Sequence, residues 1–237
     1  MKISPKIEIV DLALYFNSTL VIADVHIGYE EALNKQGILV PRLQFKEALK
    51  RMESIFDALK DKTIERIIVN GDLKHEFGTI SEQEWRNSLK FLDLLAKHCD
   101  EIILIKGNHD TILGPIAKKR NIKIMDNIGI GNVFVAHGNK IPDKIKDYNI
   151  IIIGHEHPAV SLKEGPRIEQ FKCFLRGKYK GKNLIVQPSF NTIVEGTDLL
   201  RDEILSPFLK QNLDNFDVFI VEDKVYHFGR LGGLRRD

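Results

Sequence analysis

Residues 102–110 read IILIKGNHD, a run of four apolar residues followed closely by glycine, asparagine, histidine and aspartate. Short runs of this kind are typical of buried strands, so the polar residues lie just past a strand end. The same arrangement occurs at Leu20–Ala23 before Asp24-Val25-His26, and at Arg66–Val69 before Asn70-Gly71-Asp72. Because ligands bind beyond the carboxyl ends of strands in open α/β sheets, the pattern predicts a functional site at one sheet edge.

Helical patterns separate these three strands. Residues 42–59 carry apolar side chains at close to helical spacing, and Ser81-Glu82-Gln83-Glu84 is a capping box that opens a helix to about His98. This βαβαβ order favours a layered α/β architecture. Strand-like runs then predominate, at residues 133–136, 149–153, 168–174 and 183–186, with a hairpin over residues 218–228. We expect a second, more antiparallel sheet packed on the first, and a single domain over residues 1–237.

Composition narrows the functional classes. The 237 residues include 35 Lys and Arg against 33 Asp and Glu, a net charge of +2, which excludes a globally basic nucleic-acid coat but permits a local basic face. The 43% hydrophobic and 29% charged content excludes a disordered or membrane-embedded chain. Two cysteines cannot build a disulfide framework, and no signal peptide or membrane-spanning run is visible. We therefore expect a cytoplasmic protein with no membrane partner.

Two later strands also end in histidines, at Ala136-His137-Gly138 and Gly154-His155-Glu156-His157. Carboxylate, imidazole and amide ligands without thiolate suit Mn²⁺, Fe²⁺ or Zn²⁺. Asp-x-His and His-x-His pairs share one face if the chain is extended there. Seven such ligands suit two ions that share a bridging carboxylate, and two ions about 3.5–4 Å apart can clamp a phosphoryl group and activate water. The seven candidates are Asp24, His26, Asp72, Asn108, His137, His155 and His157.

Taken in order, Asp-x-His, Gly-Asp, Gly-Asn-His-Asp, His-Gly and Gly-His-x-His resemble the signature of the calcineurin-like metallophosphoesterase superfamily, over residues 24–157. The resemblance implies an α/β fold of two mixed β-sheets packed as a sandwich flanked by helices (αββα). It also implies two divalent metal ions, with Mn expected first and Fe, Zn or Ni as alternatives.

The resemblance also assigns roles by position. Asp24, His26 and His157 would hold the first metal, and Asn108, His137 and His155 the second, with Asp72 bridging them. His109 would act as the catalytic general acid, and Asp110 would orient it through a carboxylate–imidazole contact. Within the superfamily the chain looks most like the branch of the SbcD-type nuclease subunit and its small archaeal relatives. Softer pointers to this branch are Gly71-Asp72-Leu73-Lys74-His75 and Pro188-Ser189-Phe190.

Several residues beside these motifs admit two interpretations. His75 either binds substrate or fixes its own loop, and we expect Lys74 to be a solvated charge. Tyr29, Phe77 and Trp85 could stack on a base, although aromatic residues flanking helices are more often part of the core.

A basic segment follows the last metal motif, since residues 163–182 carry seven basic groups against two acidic ones. It could form a track for a phosphate backbone, but solvent-facing strand residues are slightly favoured.

The function hypothesis is a metal-dependent phosphodiesterase. A metal-bridging hydroxide would attack a phosphodiester, either a nucleic-acid end or a cyclic or short nucleotide, and His109 would protonate the leaving oxygen. The alternatives are a phosphomonoesterase acting on a small metabolite or phosphoprotein, and a metal-bearing scaffold for a DNA-processing partner. Nucleic acid is thus a possible partner, and the sequence does not predict an oligomeric state.

Overall fold

Two mixed β-sheets dominate the structure, a computed structural model that describes residues 1–76, 81–110 and 113–235. The first sheet has seven strands that lie in chain order. They are β1 (Lys2–Ser4), β2 (Ile7–Val10), β3 (Ala13–Phe16), β4 (Thr19–Ala23), β5 (Arg66–Asn70), β6 (Glu101–Ile105) and β7 (Lys123–Met125). Strands β1 to β4 are antiparallel and β4 to β7 are parallel, so the predicted βαβαβ unit is confirmed.

The second sheet has nine strands and also mixes parallel and antiparallel pairs. They are β8 (Asn127–Ile130), β9 (Val133–Ala136), β10 (Ile150–Ile153), β11 (Pro158–Glu164), β12 (Arg167–Tyr179), β13 (Lys182–Val186), β14 (Thr197–Asp198), β15 (Asp217–Val221) and β16 (Val225–Arg230). Strand β10 lies between β9 and β13 and is parallel to both, whereas β11, β12, β15 and β16 form antiparallel pairs. The hairpin expected over residues 218–228 is the pair β15 and β16.

The helices of the described residues are short to medium in length. They are α1 (Tyr29–Lys35), α2 (Gln44–Ala58), α3 (Glu82–Leu95), α4 (Gly114–Arg120), α5 (Leu231–Leu234) and a 3₁₀ helix (Asp143–Asp147). Helix α3 ends at Leu95 rather than near His98, because the N–H groups of Lys97 and His98 bond three residues back instead of four. No helix among the described residues is long and apolar enough to cross a membrane.

Strand β10 shows how the layers pack. Ile150 and Ile152 join a core that includes the first sheet and helices α2 and α3, whereas Ile151 and Ile153 join a second core with Phe208. Alternate residues of a strand point to opposite faces, so this all-isoleucine strand is buried on both sides. The fold class expected from the resemblance, two mixed sheets with flanking helices, is confirmed.

The N-terminal strands β1 to β3 were not predicted. Each has only three or four residues, and Lys2 and Glu8 interrupt the apolar pattern of β1 and β2. A tight turn at Asn17-Ser18, where both residues have positive φ, then joins β3 to β4. Strands β1 to β3 extend the first sheet away from the parallel strands that carry the motifs.

Candidate metal centre

The five motifs meet where the parallel strands of both sheets end. Strands β4, β5 and β6 lead into the motifs of the first sheet, and β9 and β10 lead into those of the second. A hydrogen bond joins the two edges, since the backbone N–H of His155 donates to Asp24 Oδ2 over 2.8 Å. Glycines permit this approach, because a Cβ on Gly71 would lie 1.9 Å from His137 Nδ1 and one on Gly107 would lie 2.0 Å from Asp72 Oδ1.

The backbone of the motifs is left-handed rather than extended. Five of the seven ligand candidates have positive φ values, although none of the five is glycine. These residues and their φ values are Asp24 (54°), His26 (49°), Asp72 (35°), His155 (66°) and His157 (51°). The expectation that Asp-x-His and His-x-His work as extended chain is therefore wrong. Each such residue costs of order 1–2 kcal/mol, and strain of this kind is typical of functional sites.

One donor group contains Asp24, His26 and His157, whose nearest ligand atoms all lie within 4.8 Å of one another. The His26 and His157 Nε2 atoms are 3.4 Å apart, and His157 Nε2 lies 3.5 Å from Asp24 Oδ2. Asp24 is fully buried, and its Oδ1 accepts no hydrogen bond from the described residues. An orphaned carboxylate oxygen among imidazole nitrogens fits a divalent cation.

A second donor group contains Asp72, His137 and His155, again within 4.8 Å, and His26 also forms a third such group with His75 and His109. Asn108 joins the second group, because its Oδ1 lies 2.9 Å from His137 Nε2. Asp72 lies between the first and second groups, since its Oδ2 is 3.8 Å from His26 Nε2 and 3.5 Å from His137 Nε2. The structure thus brings all seven predicted ligands together.

The charges of this cluster suit a cation. Burial raises the pKa of Asp72 to about 8, and the nearby carboxylates of Asp24 and Asp110 add to the effect. Burial also lowers the pKa of His26 and His137, and that of His155 to about 4, so these rings are neutral at pH 7. Neutral imidazoles ligate metals directly, and a cation bound here would favour the charged carboxylate of Asp72 by displacing its proton.

His109 lies against the same cluster. Its backbone N–H donates to Asp72 Oδ1 over 2.8 Å, and its ring is 5.0 Å from the His26 ring. Its Nδ1 lies 2.7 Å from the carbonyl oxygen of His75. Because a carbonyl can only accept, Nδ1 carries the hydrogen there, and Nε2 gains one only when the ring is protonated. Burial lowers the pKa of His109, so the neutral ring predominates near pH 7 in this structure.

Asp110 holds the loop backbone, and its orientation of the His109 ring stays a prediction. Its fully buried carboxylate accepts hydrogen bonds from the backbone N–H groups of Gly107 (3.1 Å), Leu73 (3.4 Å) and Lys74 (3.5 Å). It therefore joins the loop after β5 to the loop after β6, which carries His109.

Lys74 is not the solvated charge that we expected. Its side chain is fully buried, and Nζ donates to the carbonyl oxygens of His109, over 2.9 Å, and Glu76. Because a buried ammonium needs such acceptors, Lys74 joins the backbone of His109 to that of Glu76.

His75 lies at the site, and its Nδ1 is 3.4 Å from His26 Nδ1. The Tyr29 ring meets the His75 ring edge-on, with the centroids 4.6 Å apart, so Tyr29 is close to the centre. Trp85 packs against the core as expected, and Phe77 lies outside the described residues.

Glu84 was missed as a site residue, although the capping box pointed to it. The Ser81 hydroxyl accepts from the Glu84 N–H over 3.1 Å, as predicted. The Glu84 carboxylate does not bond back to Ser81, but accepts from the backbone N–H groups of His75 (2.9 Å) and Glu76 (3.1 Å). Glu84 is fully buried and holds the loop whose carbonyl meets His109.

Ser189 was quoted only for the resemblance and supports the first donor group. Its hydroxyl donates to the backbone carbonyl of Asp24 over 2.8 Å, and the neighbouring Phe190 N–H donates to that of Ala23 over 2.7 Å. The loop after β13 therefore holds the end of β4.

The basic segment makes mostly internal contacts. Arg176 pairs with Asp217 at 2.5 Å, Lys182 donates to the carbonyl of Lys146 over 2.7 Å, and Lys172 donates to that of Ser189 over 3.1 Å. Burial, with the nearby charge of Arg51, lowers the pKa of Lys172 to about 7. Lys172 lines a cavity of about 710 Å³ whose described walls include none of the seven ligand candidates.

Comparison with known proteins identifies the family. The sequence matches the calcineurin-like phosphoesterase family over residues 18–211. The chain belongs to this family. Its members are metal-dependent hydrolases of phosphoester bonds, which agrees with the donor groups described above. No curated protein sequence matches the chain.

One solved nuclease structure shares the fold. The nuclease MPE from Pseudomonas putida has a TM-score of 0.64 at 19% identity, and the match covers 93% of each chain. Vps29 from Entamoeba histolytica, in a complex with Zn²⁺, has a TM-score of 0.39 at 18% identity, covering 88% of this calcineurin-like phosphoesterase and 96% of that chain.

Proposed function

We propose that this protein hydrolyses phosphodiesters at a centre of two divalent metal ions. The position of Asp72 is the observation that carries the proposal. One of its carboxylate oxygens lies within 4 Å of nitrogens from both donor groups, at 3.8 Å from His26 and 3.5 Å from His137. A carboxylate in this position can serve as a ligand that two ions share.

The single-domain organisation and cytoplasmic location remain predictions from the sequence.

The residues divide between the two ions as the donor groups do. Asp24, His26 and His157 would hold one ion, and His137, His155 and Asn108 the other. The mixture of carboxylate, imidazole and amide donors favours Mn²⁺, with Fe²⁺, Zn²⁺ or Ni²⁺ as alternatives. When bound, the two ions supply charge for the phosphoryl oxygens and lower the pKa of water.

His109 moves a proton in this proposal. Its Nδ1 is occupied by the His75 carbonyl, so the protonated ring donates from Nε2 to the oxygen of the departing alcohol. The Asp72 carboxylate holds the His109 backbone N–H, which fixes the ring relative to the ligands. His75 and Tyr29 would border the substrate, because their rings are in contact beside His26.

Substrate preference tests the proposal. Protein loaded with Mn²⁺ is incubated with bis-p-nitrophenyl phosphate, p-nitrophenyl phosphate and short single-stranded oligonucleotides, and chelated protein is the control. We expect metal-dependent cleavage of the diester and of oligonucleotides. Cleavage of the monoester alone would refute the diesterase assignment and favour the monoesterase alternative, and no cleavage of any substrate would favour the scaffold.

A further inference from the structure

The segment between α1 and α2 returns to a metal-ligand candidate at its C-terminal end. We call residues 36–43 the apical loop. The Gln44 side chain, directly after the loop, donates to the carbonyl of His26 over 2.9 Å. The Gln44 N–H also donates to the buried Glu30 carboxylate over 2.9 Å, which ties the start of α2 to the start of α1. The C-terminal end of the apical loop therefore lies next to one donor group, and its N-terminal end is separated from that group by α1.

Hydrogen bonds fix the conformation of the apical loop. Helix α1 ends in a Schellman motif, in which Gly37 has a φ of +86° and the Ile38 N–H donates to the Leu33 carbonyl over 3.0 Å. The Asn34 side chain then donates to the Val40 carbonyl over 3.2 Å. The backbone of the apical loop is thus held in one conformation by these hydrogen bonds.

Three large apolar side chains of this loop face solvent. Ile38 is 53% exposed, Leu39 is 89% exposed and Leu43 is 50% exposed. Clustered apolar exposure on an ordered surface marks an interaction site, because burying these side chains in a partner is favourable.

Cationic side chains border the apolar residues of the loop. Lys35, Arg42 and Lys46 are exposed. Lys35 Nζ lies 3.4 Å from the Glu76 carboxylate and 3.6 Å from that of Glu31, and Arg42 donates to Gln83 over 3.4 Å. Apolar groups bordered by cations complement a ligand that has both apolar faces and anions.

We infer that the apical loop binds an unpaired nucleic-acid strand, with Ile38, Leu39 and Leu43 packed against bases and the neighbouring cations close to phosphates. This inference rests on the proposed function and specifies its substrate. Leucine and isoleucine insert between bases in other nucleic-acid complexes, so aliphatic side chains can pack against base faces. The location favours this occupant over a lipid surface or a protein, because the loop ends beside His26 and a strand held on it can extend from there to the donor groups.

The test compares a polymeric substrate with a small one. The variant Ile38→Ser/Leu39→Ser changes only exposed side chains, and Ile168→Ser and Phe228→Ser change matched side chains, 48% and 42% exposed, on the second sheet. We expect KM for a short single-stranded oligonucleotide to rise about tenfold in the loop variant, the loss typical of one base contact. Hydrolysis of bis-p-nitrophenyl phosphate should not change, and the two control variants should match the wild type on both substrates.

Binding is also measured without turnover, by fluorescence anisotropy of a labelled oligonucleotide. If the wild type binds the strand and the loop variant does not, the inference holds even when no substrate is cleaved and the proposed function fails. If the wild type cleaves bis-p-nitrophenyl phosphate but the loop variant binds the strand equally well, the inference fails alone. Equal losses on both substrates, or binding to phosphatidylserine vesicles in place of the strand, would also overturn it.

Discussion

Replacing Glu84 should separate the geometry of the general acid from metal binding. The buried carboxylate accepts two backbone N–H groups, from His75 at 2.9 Å and Glu76 at 3.1 Å. Glu84→Ala leaves both donors without this acceptor, at a cost of about 1–3 kcal/mol each. Glu84→Gln keeps one acceptor oxygen but loses its charge, which should cost about 1–2 kcal/mol in total.

The effect on activity should pass through the His75 carbonyl. That carbonyl meets His109 Nδ1 at 2.7 Å, so a displaced loop leaves the His109 ring poorly oriented. Because misplacing a catalytic group by about 1 Å can cost about 100-fold, we expect kcat to fall 10- to 100-fold in Glu84→Ala, with KM nearly constant. Glu84→Gln should recover most of the activity.

Three measurements decide this prediction. Denaturant unfolding gives the stability loss, metal analysis gives the ion content, and the pH profile of kcat on bis-p-nitrophenyl phosphate reports the general acid. We expect two ions per chain in both variants and an altered acid limb in Glu84→Ala. Unchanged kcat would refute the positioning role, and so would a loss of metal that accounts for the whole loss of activity.

Three further variants test other parts of the centre. His109→Ala should lose about 100- to 10,000-fold in kcat, as removal of a general acid does, while metal analysis shows both ions retained. In chelated protein, the unfolding free energy of Asp72→Asn minus that of the wild type should increase by up to about 2 kcal/mol as pH rises from 6.5 to 8. The sign follows because the wild-type carboxyl, with its pKa raised to about 8, contributes stability that is lost as pH rises towards that value, whereas asparagine does not titrate. A difference that stays constant with pH in urea titrations would contradict this prediction. Lys74→Met should lower kcat and stability together, because the His109 carbonyl loses its buried donor, and wild-type kcat would show that this bond does not matter.

The sequence predicts best those features that rest on periodicity and on position after strands. Strands β4, β5, β6, β9 and β10 each contain an apolar run, and parallel pairing brings their carboxyl ends together. The seven ligand candidates come from the residues after those ends and from the family resemblance. Strands β1 and β2 carry the charged residues Lys2 and Glu8, and antiparallel pairing with neighbouring strands defines β1 to β3 instead.

The residues that hold the ligands were harder to predict because their partners are backbone groups. Glu84 and Asp110 accept from N–H groups, and Lys74 and Ser189 donate to carbonyls. Every residue except proline offers the same backbone N–H, so no complementary side chain elsewhere in the sequence marks the contact. A buried lysine and an exposed one also look alike in a sequence, which is why Lys74 was misjudged.

These side-chain hydrogen bonds to backbone offset the energetic cost of holding the metal-ligand candidates in place. Five ligand candidates adopt left-handed backbone, and burial opposes the charge of Asp72 and Asp110, which raises their pKa values to about 8 and about 6. Both effects oppose folding when no cation is bound, so the surrounding hydrogen bonds to backbone must hold the motifs in place. Metal binding stabilises the charged carboxylates but does not relieve the backbone strain. Chelation should therefore weaken the carboxylate cluster while residues such as Glu84 and Ser189 keep the loops ordered, which leaves the centre ready to bind its ions again.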